Sequence, residues 1–118
     1  MFSRHAALAA LCLGAALAAA PGAARAEPMM KGKDLVVACV ADAASAQRRI
    51  CLGYIAAVHD ALEAGGVAGR KACFPPDTKL SVMRDVVVEH LTKQAKNTDE
   101  KPGSDGVTVA LVNRFACK

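Results

Sequence analysis

Four cysteines, Cys39, Cys51, Cys73 and Cys117, follow an apolar leader at the start of this 118-residue chain. That order restricts the fold more than any other feature. Arg4 and His5 precede an apolar run, Ala6–Ala20, and Ala24-Arg25-Ala26 sets small residues at both positions that a signal peptidase reads. The run is 15 residues long, short of the roughly 20 that a membrane-spanning helix needs. Cys12 follows Leu11, a bulky residue where lipoprotein processing wants a small one. Residues 1–26 therefore read as a cleaved signal peptide, and residues 27–118 as one exported domain. Export delivers the four remaining thiols to an oxidising compartment, where they pair.

A domain of this size holds a modest core, and chains of that kind are often marginal without covalent staples. Aromatic residues are scarce: after the leader only Tyr54, Phe74 and Phe115 remain, with no tryptophan. The core must be built from Val, Leu, Ile and Ala. The chain's formal charge of +4 falls to +2 once Arg4 and Arg25 leave with the leader. With no basic patch interleaved with aromatics, nucleic acid is not an expected partner.

Apolar periodicity predicts an all-α bundle of about four helices. The first spans Lys33–Ala41, with Leu35, Val36, Cys39 and Val40 on one face. Ser45 is placed to cap the second, Ala46–Ala64, whose Cys51, Tyr54, Ile55, Val58 and Leu62 recur at three- and four-residue steps. Gly65-Gly66 stops it. Gly53, inside it, costs about 1 kcal/mol relative to alanine. It reads as the close approach of a neighbouring helix, the alternative being a flat patch for a partner. Pro75-Pro76 excludes helix interior. Asp77 or Thr78 then caps a third helix reaching Gln94, striped by Leu80, Met83, Val87 and Leu91. Ala95–Gly106, rich in polar residues and containing Pro102, Gly103 and Gly106, reads as a flexible exposed loop before a last helix, Val107–Phe115.

Four cysteines permit three pairings. A short connection brings the end of the first helix to the start of the second, which favours Cys39–Cys51. Cys73 precedes the third helix and Cys117 follows the fourth, so an antiparallel arrangement of those helices gives Cys73–Cys117. The rival Cys51–Cys73 must span 13 helical steps, about 20 Å, and is strained without being impossible.

The residues offer little chemistry. The cysteine separations of 12, 22 and 44 contain no C-x-x-C pair, so a zinc knuckle or haem attachment is not expected. No metal or other cofactor is expected. His59 and His90 each adjoin an acid, Asp60 and Glu89, but sequence neighbours on a helix diverge, and both read as solvated surface residues. No nucleophile–base–orienter set is visible, and the chain is not expected to be an enzyme.

The segment Cys51-Leu52-Gly53-Tyr54-Ile55 through Asp60-Ala61 resembles the C-x-G-Y-I-x-x-x-x-D-A signature of the Rap/Tai family, periplasmic immunity proteins of type VI secretion systems. Gly32-Lys33-Asp34-Leu35 with Cys39 resembles that family's first helix. Cys73-Phe74-Pro75, Arg84-Asp85-Val86-Val87 and the closing Phe115-Ala116-Cys117 extend the likeness over nearly the whole of residues 27–118. Two departures stand out. Asn97–Pro102 replaces the His-Pro-Glu stretch that many members carry, and Phe-Ala-Cys replaces Phe-Pro-Cys.

The resemblance implies a small helical, disulfide-bonded inhibitor, often dimeric, that binds a peptidoglycan amidase effector and blocks its cleft through a protruding loop. On this chain that loop maps to Asn97, Thr98, Asp99, Glu100, Lys101, Ser104 and Asp105, the candidate partner-binding residues. The alternative is a general periplasmic helical protein, a stress chaperone or envelope scaffold, with no cognate toxin.

Overall fold

The computed structural model describes residues 27–118; the signal peptide expected at residues 1–26 lies outside the described residues. Five helices succeed one another: α1 Gly32–Val40, α2 Ala46–Ala64, α3 Leu80–Lys93, α4 Ala95–Thr98 and α5 Gly103–Arg114. There is no strand among the described residues. None of these helices is long and apolar enough to cross a membrane. The bundle has one element more than expected, because α4 is a single turn set inside the segment read as loop.

Helix α2 follows the sequence signals closely. Ser45 Oγ accepts from the Arg48 amide at 3.1 Å, which satisfies one of the otherwise unpaired first-turn donors. Gly66, at φ 102, ends it in the left-handed region. A Cβ on Gly66 would meet the Arg70 carbonyl oxygen at 2.5 Å. At the other end, Arg48 Nη2 reaches back to donate to the Ala41 carbonyl at 2.6 Å, so this side chain closes the α1–α2 corner instead of facing solvent.

The expected start of α3 is corrected by one or two residues. Thr78 Oγ1 donates to the Pro75 carbonyl at 2.6 Å, closing a turn, and Asp77 sits at φ 65. Both are consumed by that turn. The helix begins at Leu80, with Lys79 at its N-cap and no side-chain cap. Val86-Val87-Val88 is helical.

Apolar stripes from four helices meet in one core. Leu35, Ile55, Leu91, Leu111, Val87 and Val107 are fully buried, together with Cys39 and Cys51. Burial of each such aliphatic side chain stabilises the fold by about 1.5–3 kcal/mol. Val40, assigned to the same α1 face by periodicity, is instead 61% exposed. Leu35, Ala38 and Cys39 take the buried positions on this short helix.

Both favoured disulfides are present. Cys39–Cys51 joins α1 to α2 with Cα atoms 5.1 Å apart, and Cys73–Cys117 ties the approach to α3 to the chain's end at 4.9 Å. Gly106, at the start of α5, packs on Leu91, near the end of α3, as an antiparallel pair requires. Around the second disulfide the Phe74 and Phe115 rings stack at 5.0 Å, and the Cys73 amide donates to the Phe115 carbonyl at 2.7 Å.

The reading of Gly53 as a helix-packing site is overturned. Beyond its chain neighbours and the backbone of its own helix, no heavy atom lies within 4 Å of the position a Cβ would occupy there, and the residue is exposed. Close helix approach falls instead on Gly32, Gly103 and Gly106, all buried. A Cβ on Gly32 would overlap the Thr98 carbonyl oxygen, and one on Gly103 would lie 3.3 Å from Leu35 and 3.4 Å from the Tyr54 hydroxyl.

Candidate functional site

The segment read as a flexible loop, Ala95–Gly106, is ordered by three devices. Gln94 ends α3 by donating its amide to the His90 carbonyl at 2.9 Å. The α4 turn follows directly, with Thr98 Oγ1 donating to the Gln94 carbonyl at 3.1 Å. Pro102 then holds the N-cap position of α5, and Asp105 lies in that helix's first turn, where the helix dipole favours an acid. Pro-Gly-Ser-Asp-Gly, which looks like a turn by composition, is the beginning of a helix.

The third device is the N-terminal edge of α1. Gly32 N–H donates to the Lys101 carbonyl at 2.9 Å, Lys33 N–H to the Asp99 carbonyl at 3.2 Å, and Gly103 N–H to the Met30 carbonyl at 2.8 Å. Outside this backbone lacing, Lys31 Nζ pairs with Glu100 Oε2 at 3.1 Å, and Lys33 Nζ pairs with Glu100 Oε1.

Hydrogen bonds from Lys33 and then Lys31 hold Glu100 below its ordinary 4.5. The same carboxylate raises Lys31 above 10.5. A depressed acid contributes stability above its ordinary value and loses it as pH falls through the folded one. A raised lysine contributes below 10.5 and loses it as pH rises beyond its folded value. The clamp is therefore complete between about 4.5 and 10.5 and opens outside that window, with salt screening it throughout. The Gly32 and Lys33 amide resonances should report an acid titration with its midpoint below 4.5. The Glu100→Gln variant should abolish that titration; its survival in the variant would disprove the assignment.

Against this ordered segment lies a groove of about 660 Å³. Asn97 and Thr98 from α4, Lys101, and Asp105 and Thr108 from α5 form one side. His90 and Gln94 of α3 and Asn113 of α5 line it further, and Val67, Ala68 and Arg70 form another wall. That wall is a two-residue turn: Val67 and Arg70 exchange both backbone hydrogen bonds at 2.9 Å, and Ala68 and Gly69 both take positive φ, 49 and 76. This is the pattern of a type I′ turn, and it sets Arg70 over the groove.

Four of the seven residues singled out from sequence thus line the groove: Asn97, Thr98, Lys101 and Asp105. Asp99 and Glu100 engage α1 instead, and the Ser104 carbonyl accepts from Thr108 Oγ1 at 2.7 Å. Arg70, His90, Gln94 and Asn113 were not anticipated. His90 had been assigned to solvent, yet it is half-buried on the groove. His59 is corrected as well. Its ring packs on Phe74 at 4.4 Å, and its Nδ1 lies 3.0 Å from Asp60 Oδ1, so these two sequence neighbours do meet. No hydroxyl or thiol is hydrogen-bonded to His59 among the described residues, all four of whose cysteines are in disulfides. No cluster of three His, Cys, Asp or Glu side chains that could hold a metal occurs among them.

The fold, the two disulfides and the groove lie within a single stretch, residues 31–117, that matches the family described as Rap1a immunity proteins. The chain belongs to that family. No curated protein and no solved structure matches it significantly. Membership of an immunity-protein family implies that the chain binds a partner effector.

Proposed function

We propose that this Rap1a immunity protein acts in the periplasm, where it binds and neutralises a peptidoglycan amidase effector delivered by type VI secretion. Family membership over residues 31–117 carries the reading. The secretory leader expected at residues 1–26 supports the compartment, and the pattern C-x-G-Y-I-x-x-x-x-D-A supports the amidase class. The contact surface is the braced segment from Asn97 to Asp105 with the groove beside it. Because α1 lacing fixes this segment before any encounter, little ordering entropy remains to oppose association. Inhibition consists of covering the amidase cleft and requires no catalytic group or cofactor from this chain. A homodimer, expected from the family likeness, would present two such surfaces.

The test pairs the exported, oxidised protein with amidase effectors encoded beside its gene. A stable complex and survival of cells that receive the amidase in the periplasm are expected. The double variant Asn97→Ala/Lys101→Glu should weaken the complex by about tenfold or more through lost and repelling contacts, with an unchanged melting temperature. No complex and no protection with any neighbouring amidase would overturn the reading.

A further inference from the structure

The groove's chemistry is unbalanced, and the imbalance identifies what fits it. Arg70 and Lys101 are both exposed on its rim, and neither forms a salt bridge among the described residues. Asp105 is the one acid on the lining, and its place in the first turn of α5 is accounted for by the helix itself. The remaining polar groups are neutral. Asn97 Nδ2 donates to the Gln94 side-chain oxygen at 3.2 Å. Thr98 and Thr108 spend their hydroxyl protons on the backbone carbonyls of Gln94 and Ser104, so their oxygens remain only as acceptors.

Two cations without a salt-bridge partner on the rim of a cleft whose lining holds one acid are complementary to carboxylates. We propose that the groove seats an acidic segment of the partner protein, with Arg70 and Lys101 gripping its carboxylates. Arg70 is the specificity-determining residue. Its guanidinium offers a planar fork that a carboxylate can engage with two hydrogen bonds, and the Ala68-Gly69 turn fixes its approach. The inference rests on the docking role proposed above, and it adds the chemical class of the contact.

The experiment titrates the isotope-labelled exported protein with a capped Gly-Asp-Glu-Asp-Gly peptide and with its uncharged counterpart, Gly-Asn-Gln-Asn-Gly. The acidic peptide should shift the amides of Arg70, His90, Lys101 and Asn113 in a saturable way. The uncharged peptide should bind about tenfold or more weakly, as should the acidic peptide to the Arg70→Gln/Lys101→Gln variant, and added salt should erase the difference. Circular dichroism of the variant should be unchanged, since neither side chain contributes to the core. Equal response to both peptides, shifts mapping away from the groove, or full binding by the variant would overturn the proposal. Acidic-peptide binding with no amidase partner sustains the groove chemistry while removing the immunity reading. A tight amidase complex that the Arg70→Gln/Lys101→Gln variant does not weaken does the reverse.

Discussion

Removing the Cys73–Cys117 bridge, as the Cys73→Ser/Cys117→Ser variant, should lower unfolding free energy by about 4 kcal/mol. The figure follows from the loop that the bridge closes, 44 residues of separation, because cross-linking restricts the unfolded chain more as the loop lengthens. The Cys39–Cys51 bridge closes only 12 and is worth about 3 kcal/mol on the same basis. A small domain commands about 5–15 kcal/mol in all, so the chain with both bridges reduced should stand at the edge of unfolding at 37 °C. Urea denaturation of oxidised and reduced protein, followed by far-ultraviolet circular dichroism, measures the loss. Coincident midpoints for the oxidised protein and the Cys73→Ser/Cys117→Ser variant would show that the core, not the bridge, carries stability. Such dependence fits a domain whose core holds four aliphatic stripes and no tryptophan.

Replacing Gly32 by valine should have the second largest effect, and it should reach the segment proposed to dock. The added Cβ meets the Thr98 backbone oxygen, which cannot rotate away as a side-chain end can. Helix α1 or α4 must shift, at a cost of about 1–3 kcal/mol for overpacking of this kind. The same movement breaks the Gly32-to-Lys101 and Lys33-to-Asp99 hydrogen bonds. Amide resonances of residues 97–101 should therefore move, and partner binding should fall. Gly53→Ala is the matched control. It meets nothing within 4 Å and should gain up to about 1 kcal/mol of helix stability. Equal melting temperatures for Gly32→Val and the unaltered protein would disprove the steric account.

Much of the fold could be read from residue order, and the reasons are local. Ser45 before the apolar repeat of α2, and Gly65-Gly66 after it, bracket that helix between a side-chain cap and a left-handed stop. Both cysteine pairings followed from which helix ends could meet. The start of α5 was hidden because Pro102, Gly103 and Gly106 signal turns by composition, whereas here Gly103 and Gly106 are buried where helices touch. Glycine's missing side chain serves a bend and a close approach equally well, and only tertiary neighbours decide between them. Gly53 failed in the opposite sense, for its helix face has no neighbour.

The groove was half legible. Asn97, Thr98, Lys101 and Asp105 could be singled out because they lie in the one polar stretch onto which the family's contact loop maps. Arg70, His90 and Asn113 could not, since they belong to a turn and two helices that converge only when the bundle closes. Pro102 followed three residues later by an acid was the available signal for an early α5 start. The Ala68-Gly69 pair, flanked by Val67 and Arg70, was the available signal for the turn.

The lacing of α1 to the α4–α5 junction joins residues 69 apart in sequence, Lys31 to Glu100. The half of the clamp made first on the ribosome must therefore wait for the half made near the end. A partly synthesised chain therefore lacks the contacts that brace residues 99–103. Only the completed chain can hold that segment in place, so its bracing is a late event of folding.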